Sequence, residues 1–163
     1  MYWDSLPTNI FGKDLCPHKP LFRHNVYLAL SYHSIHIFIG RPFILDRTLG
    51  DTMPTGLLTG TKNNLATSCV ESALATVDLC QRIKDRSGLS RSSYIEFTSC
   101  HAAVSALVAA SISDQTSQWN KTCRQGLDLL RAMLGGVFSQ SGERKDLDRL
   151  EYAVDQLLDY NCL

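Results

Sequence analysis

The sequence predicts an all-α fold of about five helices, packed together as an irregular helical domain. Apolar residues recur at spacings of three or four along most of the chain, which is the period of an amphipathic helix. No segment alternates between apolar and polar residues as a half-buried strand does. Glycine and proline cluster between the periodic segments, where they mark helix ends and loops. These three observations predict a core built from helices.

The composition is that of a single globular domain covering residues 1–163. Hydrophobic residues make up 44% and charged residues 20%, which argues against intrinsic disorder. A chain of this size buries roughly 70% of its extended surface, so its core requires neither metal nor disulfides. The formal net charge is +0, with 16 basic and 16 acidic residues. That balance disfavours a basic nucleic-acid-binding domain, since phosphate neutralisation supplies most of the affinity of such domains.

The first predicted helix spans Leu21–Gly40 and follows an irregular, proline-containing stretch over residues 1–20. It is apolar nearly all round, a pattern typical of a central helix. We expect Pro42 to end it, because proline disfavours helical geometry in the preceding residue. Arg41-Pro42-Phe43 is then a terminator in which Arg41 meets the last carbonyls and Phe43 folds back. The segment Asp46–Lys62 is predicted to be an exposed loop.

The second predicted helix spans Asn64–Ser87, and Gly88 is its expected C-terminal stop. The third begins near Ser93, where Ser93 and Glu96 form a capping pattern. Its many alanines leave little bulk, so a neighbouring helix should approach closely. The last two predicted helices span Ser117–Leu134 and Glu143–Tyr160.

The six cysteines do not have the spacing of a zinc site, because no two are arranged as C-x-x-C. Most fall within helical patterns, which favours buried free thiols that behave as small hydrophobic residues. No secretory signal is visible at the start of the sequence, so we expect a reducing compartment. The cysteines are Cys16, Cys69, Cys80, Cys100, Cys123 and Cys162.

Candidate catalytic or metal-binding residues are few. His33 and His36 could face one side of a helix and hold a metal, but neither a third histidine nor carboxylates accompany them. Cys100 and His101 are neighbours that diverge by about 100° on a helix, which is poor geometry for a nucleophile and its base. No phosphate-binding glycine loop or nucleophile elbow is present. We therefore predict no catalytic, cofactor-binding or metal-binding residues and no enzymatic activity.

Two stretches of 17 residues carry no formal charge, one between Arg23 and Arg41 and one between Glu96 and Asp114. A membrane span needs about 20 predominantly apolar residues. Histidine, serine, threonine or asparagine interrupts both stretches. We predict two buried helices and no membrane association.

Short patterns follow one another along these predicted helices. In chain order they are Trp3, Leu6-Pro7, Tyr32-His33, Arg41-Pro42-Phe43, Cys69 with Ala73 and Ala75, Tyr94–Phe97, and Cys123 with Gly126, Leu127 and Leu130. In their order and spacing, these patterns resemble the fungal-specific transcription factor domain. That domain is the middle homology region of fungal binuclear zinc-cluster regulators, here of the xylanolytic-activator type.

The resemblance implies a non-catalytic regulatory region of a nuclear transcription factor that controls RNA polymerase II transcription. The chain would correspond to the C-terminal part of a larger helical regulatory region. Its partners would be other proteins or the rest of the factor, and an effector ligand is not identifiable from the sequence. The motif positions would be structural: Arg41, Pro42, Phe43, Cys69, Ala73, Cys123, Gly126 and Leu127.

Full-length relatives carry a cluster of six cysteines that binds two zinc ions and contacts DNA. The six cysteines here are spaced differently, so we expect that DNA-binding domain and its zinc to be absent from this chain. Direct recognition of DNA by this chain is therefore not expected.

Two further functions stay open at this stage. A stand-alone helical interaction module could pair with such regulators and titrate them, and a coding sequence that starts at Met1 without a zinc cluster fits that function. A small helical enzyme or metal protein would instead use His33, His36 or Cys100. Metal analysis of the purified chain tests the last hypothesis, and the genomic sequence upstream of Met1 separates the first two.

Overall fold

The computed structural model describes residues 22–49, 59–89, 94–134 and 141–160. Those residues form helices and their connections, and they contain no strand. The all-α prediction is therefore confirmed. The helices, in chain order, are α1 (Phe22–Leu49), α2 (Thr59–Ser87), α3 (Tyr94–Asp114), α4 (Asn120–Leu134) and α5 (Ser141–Tyr160).

The helix α3 lies at the centre of the described fold, because it packs against all four other helices. The first three helices contact one another pairwise, α4 packs on α2 and α3, and α5 packs on α3 and α4. Three of the alanines of α3 are buried at its contacts. These small buried side chains are Ala103, Ala106 and Ala110, and they are the ones on which the predicted close approach to α3 depends.

The prediction that Pro42 ends the first helix is wrong, since α1 continues through Pro42 to Leu49. Proline removes one backbone donor and crowds the carbonyl four residues earlier, and here its position is exposed. Beyond it, Ile44 is buried in the core and Phe43 packs against the core. Burial of these two side chains holds the last turns in helical form. Arg41 consequently lies inside a helix and does not meet its terminal carbonyls.

The other predicted boundaries lie within five residues of the observed ones. The predicted loop Asp46–Lys62 is wrong at both ends, because α1 continues to Leu49 and α2 begins at Thr59. Residues 50–58 of that segment lie outside the described residues. Gly88 follows α2 with φ +71°, a left-handed conformation that glycine adopts without strain. The predicted stop at Gly88 is therefore confirmed.

Among the described residues, α3 is long and apolar enough to cross a membrane, by length and composition only. In the fold, 67% of its most apolar window is buried inside the protein. Burial of this extent is typical of a core helix, and the apolar surface of α3 packs against four neighbouring helices.

Candidate functional site

The first group of motif residues lies where α1 crosses α2. Gly40 of α1 approaches α2 so closely that an added Cβ would overlap the Leu65 carbonyl oxygen and the Cys69 Cβ. The Cys69 thiol donates to the Ile37 carbonyl oxygen at 3.5 Å. Ala73, one turn further along α2, is also fully buried. Gly40 and Cys69 thus form the small-residue contact that lets α2 lie close to α1.

The second group lies on α4, where it packs against α3. Cys123 and Leu127 are buried, and between them Gly126 faces α3. An added Cβ on Gly126 would overlap the Val104 Cγ2 methyl group. The Cys100 thiol donates to the Gly126 carbonyl oxygen at 3.7 Å. A glycine at this position therefore sets how closely the two helices pack.

The remaining motif residues lie apart from the α4 group, near the C-terminal half of α1. Arg41 is exposed, and its charge acts on the neighbouring Cys69 and His101 side chains. Pro42 is exposed, and Phe43 is half-buried. The motif residues thus divide between two helix contacts and an exposed segment, and they do not line a common cleft.

The cysteines that the structure describes are buried free thiols: Cys69, Cys80, Cys100 and Cys123. Burial raises the pKa of Cys69 to about 11 and that of Cys123 to about 11. A hydrogen bond with the Cys80 thiol, followed by burial, raises the pKa of Cys100 well above its ordinary value. Protonated thiols are poor nucleophiles and poor metal ligands. The predicted buried thiols are confirmed for these positions, and two cysteines lie outside the described residues: Cys16 and Cys162.

His33 and His36 are half-buried on α1, and the Tyr32 ring contacts both of them. The centroid of the Tyr32 ring lies 5.3 Å from that of His33 and 4.6 Å from that of His36. The His36 Nδ1 lies 3.2 Å from the Ser68 hydroxyl of α2. Within the described ranges, no group of three or more His, Cys, Asp or Glu residues could hold a metal ion. The two histidines are therefore used in contacts within α1 and with α2.

Cys100 and His101 point in different directions from α3. The Cys100 side chain is fully buried, whereas His101 is half-buried and its ring stacks on Phe97 at 6.1 Å. Burial lowers the pKa of His101, the charge and backbone contact of Asp146 oppose that effect, and the charge of Arg41 adds to it. The pair has no geometry for nucleophilic catalysis.

A polar contact between α1 and α3 was not anticipated from the sequence. Glu96, expected only as a capping residue, is fully buried, and it accepts a hydrogen bond from the Tyr27 hydroxyl at 3.3 Å. Further along both helices, the hydroxyls of Ser34 and Ser99 lie 2.9 Å apart. Both pairs advance in the same direction along α1 and α3, so the helices run parallel. The sequence signal for this contact was the spacing of its polar residues, which is seven on α1 and three on α3.

The second unanticipated feature is an exposed apolar line along α1, which we call the α1 stripe. Its side chains are between 44% and 68% exposed. The sequence predicts a central helix here, apolar nearly all round, and that prediction is wrong, because among the described residues only α2 and α3 pack against α1. The α1 stripe consists of Leu28, Ile35, Phe38, Ile39 and Leu45.

No protein-family model, no curated protein and no solved structure matches this chain. The resemblance to the fungal transcription factor domain therefore stays a prediction from the residue patterns.

Proposed function

We propose that this chain is a regulatory region of a fungal zinc-cluster transcription factor, which controls RNA polymerase II transcription in the nucleus through contacts with protein. It acts without catalysis and without a DNA-binding domain of its own. The α1 stripe is the observation that carries this proposal. The ordered residue patterns that resemble the fungal domain support the transcriptional context.

The α1 stripe has the chemistry of a docking surface for another helix. Leu28 and Ile35 are seven residues apart, as are Phe38 and Leu45, so each pair repeats on one side of the helix. No formally charged residue lies on the helix between Arg23 and Arg41, so docking on Leu28, Ile35, Phe38 and Ile39 covers an uncharged stretch. Contiguous exposed apolar surface of this kind is typical of protein interaction sites, and helices dock through such repeating anchors. The rest of a larger helical regulatory region would supply the partner helix.

The polar groups of the described core support a function without catalysis. Tyr27 and Glu96 bond to each other, Ser34 pairs with Ser99, and the Ser68 hydroxyl lies beside His36. Each of these contacts joins two helices. Together with the raised thiol pKa values, these contacts support a packing role for the polar groups of the described core.

The charge distribution supports action through protein contacts. Arg82 pairs with Asp78 at 2.6 Å, and Arg131 bonds Asp128 and Glu151 at 2.9 and 2.7 Å. Acidic partners of this kind reduce the positive potential that phosphates require. With a net charge of +0, we expect DNA binding no tighter than on the order of 10⁻⁴ M at physiological salt. Zinc and DNA recognition would belong to another part of the factor.

The α1 stripe also favours a second function, that of a stand-alone module that pairs with such regulators and titrates them. A helix of the regulator would then occupy the same surface. The two functions differ in what is encoded upstream of Met1, since only the first requires a six-cysteine zinc cluster in the same gene.

A reporter assay tests the proposal. The chain is fused to an unrelated DNA-binding domain, and reporter output is compared with that of the DNA-binding domain alone. We expect the fusion to change the output and the double variant Ile35→Ser/Phe38→Ser to abolish the change, because it removes two docking anchors. Ser31→Ala, which is exposed on the same helix, is the matched control and should behave as the parent. Equal output from the parent and the double variant, at equal protein levels, would contradict the proposal.

A further inference from the structure

The end of α3 and the second half of α5 enclose a groove of about 480 Å³. Pockets for small molecules typically measure about 300–1,000 Å³, so the groove has the size of a ligand site. It lies away from the α1 stripe, because α1 and α5 do not contact each other among the described residues. The described residues that line it are Ser111, Ile112, Gln115, Tyr152, Ala153, Gln156 and Leu157.

The lining is apolar and carries no formal charge among the described residues. Ile112 and Tyr152 form opposite walls and are more than half exposed, whereas Leu157 is buried. Ions favour sites with an opposite charge, and no charged residue belongs to the described lining. An uncharged ligand with a large apolar surface would gain most from covering these side chains.

Ser111 supplies a polar group within this apolar surface. Its side chain is 2% exposed, and the structure shows no hydrogen-bond partner for its hydroxyl in the described part of the chain. Several other hydroxyls in these helices donate to the carbonyl four residues earlier, as Ser105 does to His101 at 2.8 Å. A buried hydroxyl without a partner is costly, so a ligand oxygen beside it would be favoured.

The rim of the groove adds two neutral amides. Gln115 follows the last turn of α3 with φ 47°, and the adjacent Thr116 N–H donates to the Ser111 carbonyl oxygen at 3.2 Å. This closure of the helix end places Gln115 at the rim. Gln156 of α5 is also part of the lining. Each amide can donate and accept a hydrogen bond without adding charge.

The dimensions favour a small molecule over a protein helix. On α5 the lining extends from Tyr152 to Leu157, which is about 8 Å at 1.5 Å per residue. A docked helix normally uses anchors distributed over two turns or more. The groove is therefore short for a helix and suited to a compact ligand.

We propose that the groove between α3 and α5 binds an uncharged, mainly apolar small molecule that carries a carbonyl or hydroxyl oxygen. The oxygen pairs with the Ser111 hydroxyl, the apolar body lies between Ile112 and Tyr152, and the two glutamine amides contact its outer end. This site is independent of the proposed transcriptional function, because binding is measured on the isolated chain.

Titration with Nile red, a neutral fluorophore that carries a carbonyl group, tests the site on the full chain. We expect saturable binding with one dye per chain. We expect the neutral alcohol 1-decanol to displace the dye at least tenfold more effectively than decanoate, which has the same chain length and a negative charge. Saturable binding that both competitors displace equally would overturn the assignment of an uncharged ligand, and an absence of saturable binding would overturn the site.

Variants locate the bound dye. Ser111→Ala should weaken binding about fivefold, the worth of one neutral hydrogen bond, and Ala153→Phe at least tenfold by filling the groove. Tyr152→Ala, at a position that is 68% exposed, should also weaken binding while preserving the fold, which circular dichroism verifies. Ser105→Ala is the control, because its hydroxyl is already bonded to His101.

A dye bound to the α1 stripe instead would be released by Phe38→Ser. Loss of binding in that variant, with unchanged affinity in Ser111→Ala and Tyr152→Ala, would overturn the groove assignment. Failure of the reporter assay would leave the dye titration unaffected, so the two proposals fail separately.

Discussion

The two faces of α1 carry the same kinds of side chain and have opposite environments. Ile37 is 1% exposed, whereas Ile35, two residues away, is 58% exposed. The buried face continues through Val26, Leu30 and Ile44, which contact α2 and α3 in the core cluster. The exposed face is the α1 stripe. Hydrophobicity therefore does not by itself decide burial, which also depends on how many helices are available to cover α1.

The two faces of α1 contribute differently to the stability of the fold. Full burial of a side chain such as isoleucine contributes roughly 1.5–3 kcal/mol relative to exposure. The buried face has gained this stabilisation within the chain. The α1 stripe would gain it only on docking, so substitutions on the two faces should affect different measurements.

The largest effect is expected from Ile37→Asp, and Val26→Asp should act in the same way. Each places an unpaired carboxylate in the core beside α2 and α3, at a cost of about 4 kcal/mol or more. We expect loss of the cooperative unfolding transition when helicity is followed during urea denaturation. A transition midpoint close to that of the parent would contradict the burial of this face.

The second-largest effect is expected from Pro42→Ala, which should raise the free energy of unfolding. Pro42 lies on the exposed side of a continuous helix, where it lacks a backbone donor and crowds the carbonyl of Phe38. Pro42→Ala restores the donor, so we expect the free energy of unfolding to rise by about 1–3 kcal/mol. The urea midpoint measures this change. A decrease would contradict the assignment of Pro42 as a destabilising residue within α1.

His101 of α3 is half-buried, so its exposure is intermediate between those of the two α1 faces. Its titration makes the stability of the fold depend on pH. Burial lowers its folded pKa from the ordinary value of 6.5. Below that value the unfolded chain binds more protons, so this stabilisation is present above pH 6.5 and is lost as the pH falls through the lowered pKa. As the pH is lowered from 7.5 to 5.5, we expect the free energy of unfolding of His101→Gln to rise relative to that of the parent. An unchanged difference would contradict the burial of the imidazole.

The smallest effect is expected from Ile35→Asp. Its side chain already contacts solvent, so the free energy of unfolding should change by about 0.5 kcal/mol or less. The same substitution should abolish the reporter effect of the fusion, because it places a charge within the α1 stripe. A destabilisation comparable to that of Ile37→Asp would show that the two faces of α1 are not distinct. The corresponding loop control, Thr55→Asp, lies outside the described residues.

The position of α1 in the fold illustrates what could be predicted. The existence of the helix follows from its apolar period, and the end of α2 follows from Gly88. The continuation of α1 past Pro42 could not be predicted, because the local penalty of proline is outweighed by the burial of Ile44. The burial of the four described thiols could be predicted for a similar local reason, since they occur within helical patterns at apolar positions.

The groove and the polar contact show the limits of such prediction. Ser111 belongs to α3, whereas Tyr152 belongs to α5, and no spacing rule relates residues so far apart. Glu96 resembles a cap in the sequence, yet the Tyr27 hydroxyl of another helix contacts it in the core. Each feature depends on which helices become neighbours.

The sequence by itself determined that the chain forms helices, where most of them begin and end, and which thiols lie in apolar segments. These properties depend on residues within a few turns of one another, where periodicity, glycine and side-chain volume act directly. The folded structure was needed to show that α3 is central, that the α1 stripe is exposed among the described residues, and that α3 and α5 form a groove lined by Ser111. Burial depends on neighbours supplied by distant parts of the chain, and local sequence patterns do not specify those neighbours.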